Sequence, residues 1–144
     1  MKRDFLLLSV IGFILLVGCS TQYSTLKPKT NGIATAYFGD IDEMMNDLHL
    51  SMLMIFPGRD ITIIDGTGAR GYRTYTRFML DTYDQQAIFI PVKGITDDGA
   101  EVDAYAFMVS GSGSSAIVGR SANDRLYRST KEILDAKYII VQVK

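Results

Sequence analysis

The sequence predicts an α+β domain: a mainly antiparallel sheet with one long helix packed on a face and a short C-terminal helix. Three observations predict it. Apolar residues recur at three- and four-residue spacing between Asp40 and Phe56. β-Branched and aromatic residues gather in runs from Asp60 to Val109 and again from Tyr138 to Val143. Turn-forming Gly and Asp separate those runs. A β-sandwich is the alternative if the Met-rich segment is extended.

The helix comes first. Asp40 can cap it, with Glu43 completing a capping box, and Asp42 and Glu43 suit the positive end of its dipole. Ile41, Met44, Met45, Leu48, Met52, Ile55 and Phe56 supply an apolar face. Leu50, Leu53 and Met54 widen it, which predicts burial of the second half on more than one side. The methionines read as core rather than as an adaptable groove, and Pro57-Gly58 stops the helix.

Asp60 to Asp65 reads as a short strand. Gly66 to Gly71 then spells G-x-G-x-x-G, but a dinucleotide site needs a helix to start there. The chain instead runs into strand-forming Tyr72 to Phe78, so the glycines read as a hairpin loop and no nucleotide is expected. Tyr72 to Tyr83 is the next strand, Asp84-Gln85 a turn, and Gln86 to Lys93 a strand in which Pro91 marks an edge or a bulge. Thr96-Asp97-Asp98-Gly99 is a hairpin turn leading into Ala100 to Val109. There Val102, Ala104, Ala106 and Met108 share one face, and its small alanines leave room for the first helix. Ser110 to Ser115 is a Gly/Ser loop, and Ala116 to Gly119 a short strand. Asn123 or Asp124 can begin a helical turn, and Ser129 to Glu132 is a capping box for a short helix through Leu134 and Ala136. Tyr138 to Val143 is the final strand.

Composition excludes several chemistries. With 15 basic against 16 acidic side chains, no nucleic-acid partner is expected. Cys19 is the only cysteine and His49 the only histidine, so Cys–His pairs, multi-histidine sites and thiolate zinc sites are absent. His49, offset from the apolar stripe, reads as structural. Asp97, Asp98, Glu101 and Asp103 lack calcium-loop spacing, and Ser112, Ser114 and Ser115 lack the nucleophile-elbow context. No metal, cofactor or catalytic residue is assigned. The remaining candidate is a partner-binding face of Tyr72, Arg73, Tyr75, Arg77 and Tyr83, whose rings and guanidinium groups can stack and donate charge-assisted hydrogen bonds.

Lys2 and Arg3 precede an apolar run from Phe5 to Val17, and Leu16-Val17-Gly18-Cys19 closes it. That run is about 13 residues where a membrane span needs about 20, so it reads as a processed export signal. Position for position, residues 16–19 resemble the bacterial lipoprotein signal. The resemblance implies cleavage before Cys19, diacylglycerol on its sulfur and a mature chain tethered to a membrane. Ser20, where enterobacterial lipoproteins retained at the inner membrane carry Asp, implies the outer membrane, facing the periplasm. The polar stretch from Ser20 to Ala36, broken by Pro28 and Gly32, reads as a tether. Residues 1–18 are thus expected as signal, 19–36 as lipidated Cys and tether, and 37–144 as one domain.

The expectation is a membrane-anchored envelope lipoprotein that is not an enzyme and binds or assembles with an envelope protein or peptidoglycan. It would use the open sheet face or an edge strand. The alternative is a small cell-wall or glycan hydrolase with two carboxylates facing each other across a cleft.

Overall fold

The computed structural model describes residues 35–78, 81–112 and 116–144, so Cys19 and the expected signal fall outside the described residues. The chain order is β1 (Thr35–Phe38), α1 (Ile41–Ile55), β2 (Ile61–Asp65), β3 (Arg70–Phe78), β4 (Asp81–Ile95), β5 (Glu101–Ser112), α2 (Ala116–Lys137) and β6 (Ile139–Val143). The strands form one sheet in the order β2-β3-β4-β5-β1-β6, every pair antiparallel. The α+β class is as the sequence predicts. Strand β1 is an addition to it: Thr35 and Ala36 stand where composition placed the end of the tether, and Ala36 is fully buried.

Helix α1 forms for the reasons its sequence gives. Asp40 is extended and its Oδ1 accepts from the backbone N–H groups of Asp42 and Glu43 at 2.8 and 3.0 Å, satisfying donors that the first turn leaves unpaired. Beyond the C-cap Phe56, Gly58 takes a positive φ of 74° and turns the chain out of the helix. Met44, Met45, Leu48 and Met52 are buried against Phe89 and Phe107 of the sheet. The methionines on that face are core. The widened arc is not: Leu50, Leu53 and Met54 are exposed, because α1 is covered by the sheet below and α2 on one flank only.

The sheet buries both faces. The helix-facing side carries Ala87, Phe89, Phe107 and partly buried Tyr105 and Val109. The far side gathers Ala36, Ile90, Ala104, Ala106 and Val141 into a second core, with Ile88, Val92, Val102 and Met108 packed on it. That core exists because the sheet curls until β6 pairs with β4 at Gly94↔Val143 and Ile95↔Gln142. A Cβ at Gly94 would lie 2.5 Å from Val141 Cγ2, so small residues line the inside of the curl. The alanine face of β5 therefore packs on the sheet's own closure. Helix α1 lies on the opposite face, with Phe107.

Two turns test the hairpin readings. Asp65↔Arg70 closes the glycine loop between β2 and β3, and Gly99, at φ 84°, returns β4 into β5. The reversal after β3 falls between Phe78 and Asp81 rather than at Asp84-Gln85, which lie within β4 opposite Tyr75 and Thr74. Polar pairing carries these residues through the ladder, with Asp84 held by Arg73, so their polarity does not mark a turn. Pro91 sits beyond the last β3 pairing, Phe89↔Arg70, and before the first β6 pairing, so β4 is an edge there as expected.

Helix α2 begins well before the capping box at Ser129 and includes Ala116 to Gly119, expected as a strand. Ala122, Leu126, Thr130 and Leu134 recur every fourth residue; the last three are buried and Ala122 packs on the same core. Thr130 hides that stripe, since a polar residue breaks the apolar pattern.

Tyr37 ties β1 to α2 by donating its hydroxyl to Asp135 Oδ1 at 2.7 Å. Burial, then this bond, pushes the Tyr37 hydroxyl pKa well up; Lys131, then Tyr37, holds the Asp135 carboxyl below its usual range. The contribution of Asp135 is present above an unfolded pKa near ~3.9 and is lost as pH falls through the folded value. That of Tyr37 is present below about 10 and is lost as pH rises toward its folded value. Stability measured by urea titration is expected to form a plateau with these two edges. In Tyr37→Phe the alkaline edge should weaken, and an unchanged alkaline limb would contradict the assignment.

Candidate functional site

The predicted binding face divides across the sheet. Arg73 and Tyr75 lie on the far side from the helices, opposite Gln86 and Asp84 of β4. Arg73 makes a two-pronged contact with Asp84, Nε to Oδ1 at 2.8 Å and Nη2 to Oδ2 at 2.5 Å, with the Asp84 side chain only 14 % exposed. Its guanidinium is thereby fixed and charge-neutralised within the protein. Tyr75 is 54 % exposed. Tyr72 corrects the expectation, because it points the other way: its ring stacks on His49 of α1 at 4.8 Å between centroids, and it packs against the main core. His49 is accordingly a packed side chain. Arg77 is in β3 and Tyr83 in β4, paired with Thr82 and Thr76, and their side chains lie outside the described residues.

Among the described residues, no three His, Cys, Asp or Glu side chains are grouped to hold a metal ion. No described helix is long and apolar enough to cross a membrane. The buried carboxylate Asp47 is engaged structurally: Lys137 Nζ donates to both its oxygens, at 2.8 and 2.7 Å, and Tyr138 donates to Oδ2 at 2.7 Å. Three of the hairpin acids are likewise occupied. Lys93 pairs with Asp103, Lys144 with Glu101, and the Thr96 hydroxyl bonds to Asp98. Each of these acids has an internal partner.

No protein family, curated protein or solved structure matches the chain.

What sequence reasoning named only in general terms is the edge. Strand β2 is the one described strand with a single pairing partner, because β6 at the other end of the order folds back onto β4. Its sequence, Ile61-Thr62-Ile63-Ile64-Asp65, is short and ends in one charged residue, but it has no Lys, no Pro and no bulge, three of the devices that blunt an exposed edge. Ile63 is 54 % exposed. The direction of its open backbone groups follows from the loop. Gly66 N–H donates to Ala69 O at 3.1 Å, which makes Asp65↔Arg70 a pair without direct hydrogen bonds. By alternation Thr62 and Ile64 bond to β3, while Ile61, Ile63 and Asp65 turn their N–H and C=O groups outward.

Helix α1 borders this edge. One flank reaches β3 through Asp42, which accepts from Arg70 Nη1 at 2.9 Å, and through His49 on Tyr72. The other flank holds Lys137 and Tyr138 through Asp47. Leu53, one turn past His49, continues the β2-side flank, and Leu50 lies next to it on the outer face. Ile63 on β2 and Leu53 and Leu50 on α1 are all exposed, and β2 carries open backbone donors and acceptors. That combination suits docking of an extended chain.

Proposed function

We propose that this protein is a membrane-anchored envelope lipoprotein, held by lipid on Cys19, that acts as a non-enzymatic docking module for a protein partner. The observation that carries the docking part is the open β2 edge, a strand with one pairing partner among the described residues and an exposed Ile63. The anchoring part rests on the Leu16-Val17-Gly18-Cys19 signal. Ser20 favours the outer membrane, facing the periplasm, and the polar residues after it supply reach for the domain to meet its partner. Arg73 with Tyr75 is a secondary contact area on the far face, displaced from the edge.

The test uses the full-length chain in intact cells. Wild type should sediment with membranes, Cys19→Ala should not, and a signal-peptidase-II inhibitor should raise the apparent size of the wild type alone. A bifunctional cross-linker should trap an envelope protein with the wild type. Membrane binding of Cys19→Ala equal to wild type would end the anchoring claim, and repeated failure to trap a protein would end the docking claim.

A further inference from the structure

The β2 edge is self-complementary. Its outward backbone groups belong to Ile61, Ile63 and Asp65, symmetric about Ile63. If a second β2 runs antiparallel with a two-fold axis at Ile63, Ile63 meets Ile63 of the copy and Ile61 meets Asp65. Every outward N–H then finds a C=O. The register also separates like charges: the strand's one charged residue, Asp65, faces an isoleucine rather than its own copy. Within each chain Arg70 lies 3.2 Å from Asp65 and 2.9 Å from Asp42, which offsets part of the negative charge at this edge.

The helix layer agrees. Pairing the edges would put the two α1 helices over β3 strands three spacings apart, about 14 Å at ~4.8 Å each, against 8–10 Å for directly packed helices. Ile63 at the axis, and Leu53 and Leu50 on α1, are exposed in the single chain and available to fill the space this leaves. We propose that the partner at the β2 edge is a second copy of this chain, joined antiparallel about Ile63 into a continuous sheet. This deepens the docking reading above and rests on it. Lipid anchoring would favour it further by confining copies to one surface.

The test places a thiol on the axis. Full-length Ile63→Cys, treated in intact cells with a copper-phenanthroline oxidant, should give a disulfide product of twice the monomer mass that reductant abolishes, because paired Cα atoms lie within disulfide reach. Asp103→Cys, on the exposed β5 hairpin, should give less than a tenth as much. Ile63→Lys, purified in detergent, should weaken self-association at least tenfold by sedimentation while keeping the wild-type circular dichroism. A mixed product with another protein and no dimer would overturn the second-copy assignment and leave docking standing. No product from position 63, or equal product from position 103, would overturn both.

Discussion

Gly71→Ala is expected to destabilise the fold by about 3 kcal/mol or more, at the upper end for overpacking. A Cβ at Gly71 would stand 2.0 Å from Ala87 O and 2.7 Å from Ile88 Cα. Both are backbone atoms of the paired strand β4, so no rotamer change can relieve the clash. Gly71 is paired with Ile88 of β4, so the close approach lies within the ladder itself. Two companion substitutions grade the effect. Gly94→Ala meets Val141 Cγ2 and Ala104 Cβ, side-chain atoms with some room to shift, and should cost about 1–3 kcal/mol. Gly68→Ala meets nothing within 4 Å and should stay within about 0.5 kcal/mol. Urea denaturation midpoints that ranked the three in another order would contradict these close approaches.

The second large effect is at Asp47, where Asp47→Ala should cost about 2 kcal/mol. The residue is 8 % exposed and anchors α1 to the C-terminal end of α2 through Lys137 and to the start of β6 through Tyr138. Removing it leaves the Tyr138 hydroxyl without its acceptor and Lys137 without its counter-charge. Lys137→Ala should cost less, since that side chain is half exposed and its ammonium is already partly hydrated. A denaturant titration giving equal losses for the two would show that the pair, rather than the carboxylate's satisfaction of both donors, sets the energy.

The element types were legible where local chemistry and global packing agree. The Asp40 cap, the Gly58 stop and the Gly99 turn each have one physical reading, and the structure uses it. What the sequence hid was set by pairing at a distance. Asp84 and Gln85 look like turn residues, yet Asp84 is neutralised by Arg73 across the ladder and Gln85 is buried with its Oε1 accepting from Arg59 at 3.1 Å. Thr130 breaks an apolar stripe that α2 nonetheless buries, and the alanines of β5 signal close approach without saying of what.

The residues expected to share one face do not all share it. Aromatic and basic residues alternate along β3, but Tyr72 belongs to the helix interface and Arg73 is held by Asp84. The open edge could not be read from Ile61 to Asp65 alone, because an edge is defined by the strand that is missing beside it. Only the return of β6 to β4 leaves β2 as the strand with one partner.

The most direct test of the account is site-resolved capture in intact cells, with a photo-activated cross-linking residue at position 63 in the otherwise unaltered full-length protein. Docking at the β2 edge predicts strong protein adducts from position 63. It predicts few from position 103, an exposed place on the β5 hairpin, and a marked loss of adducts from position 63 when Cys19→Ala releases the chain. Equal yields from both positions, or undiminished capture without the anchor, would contradict it.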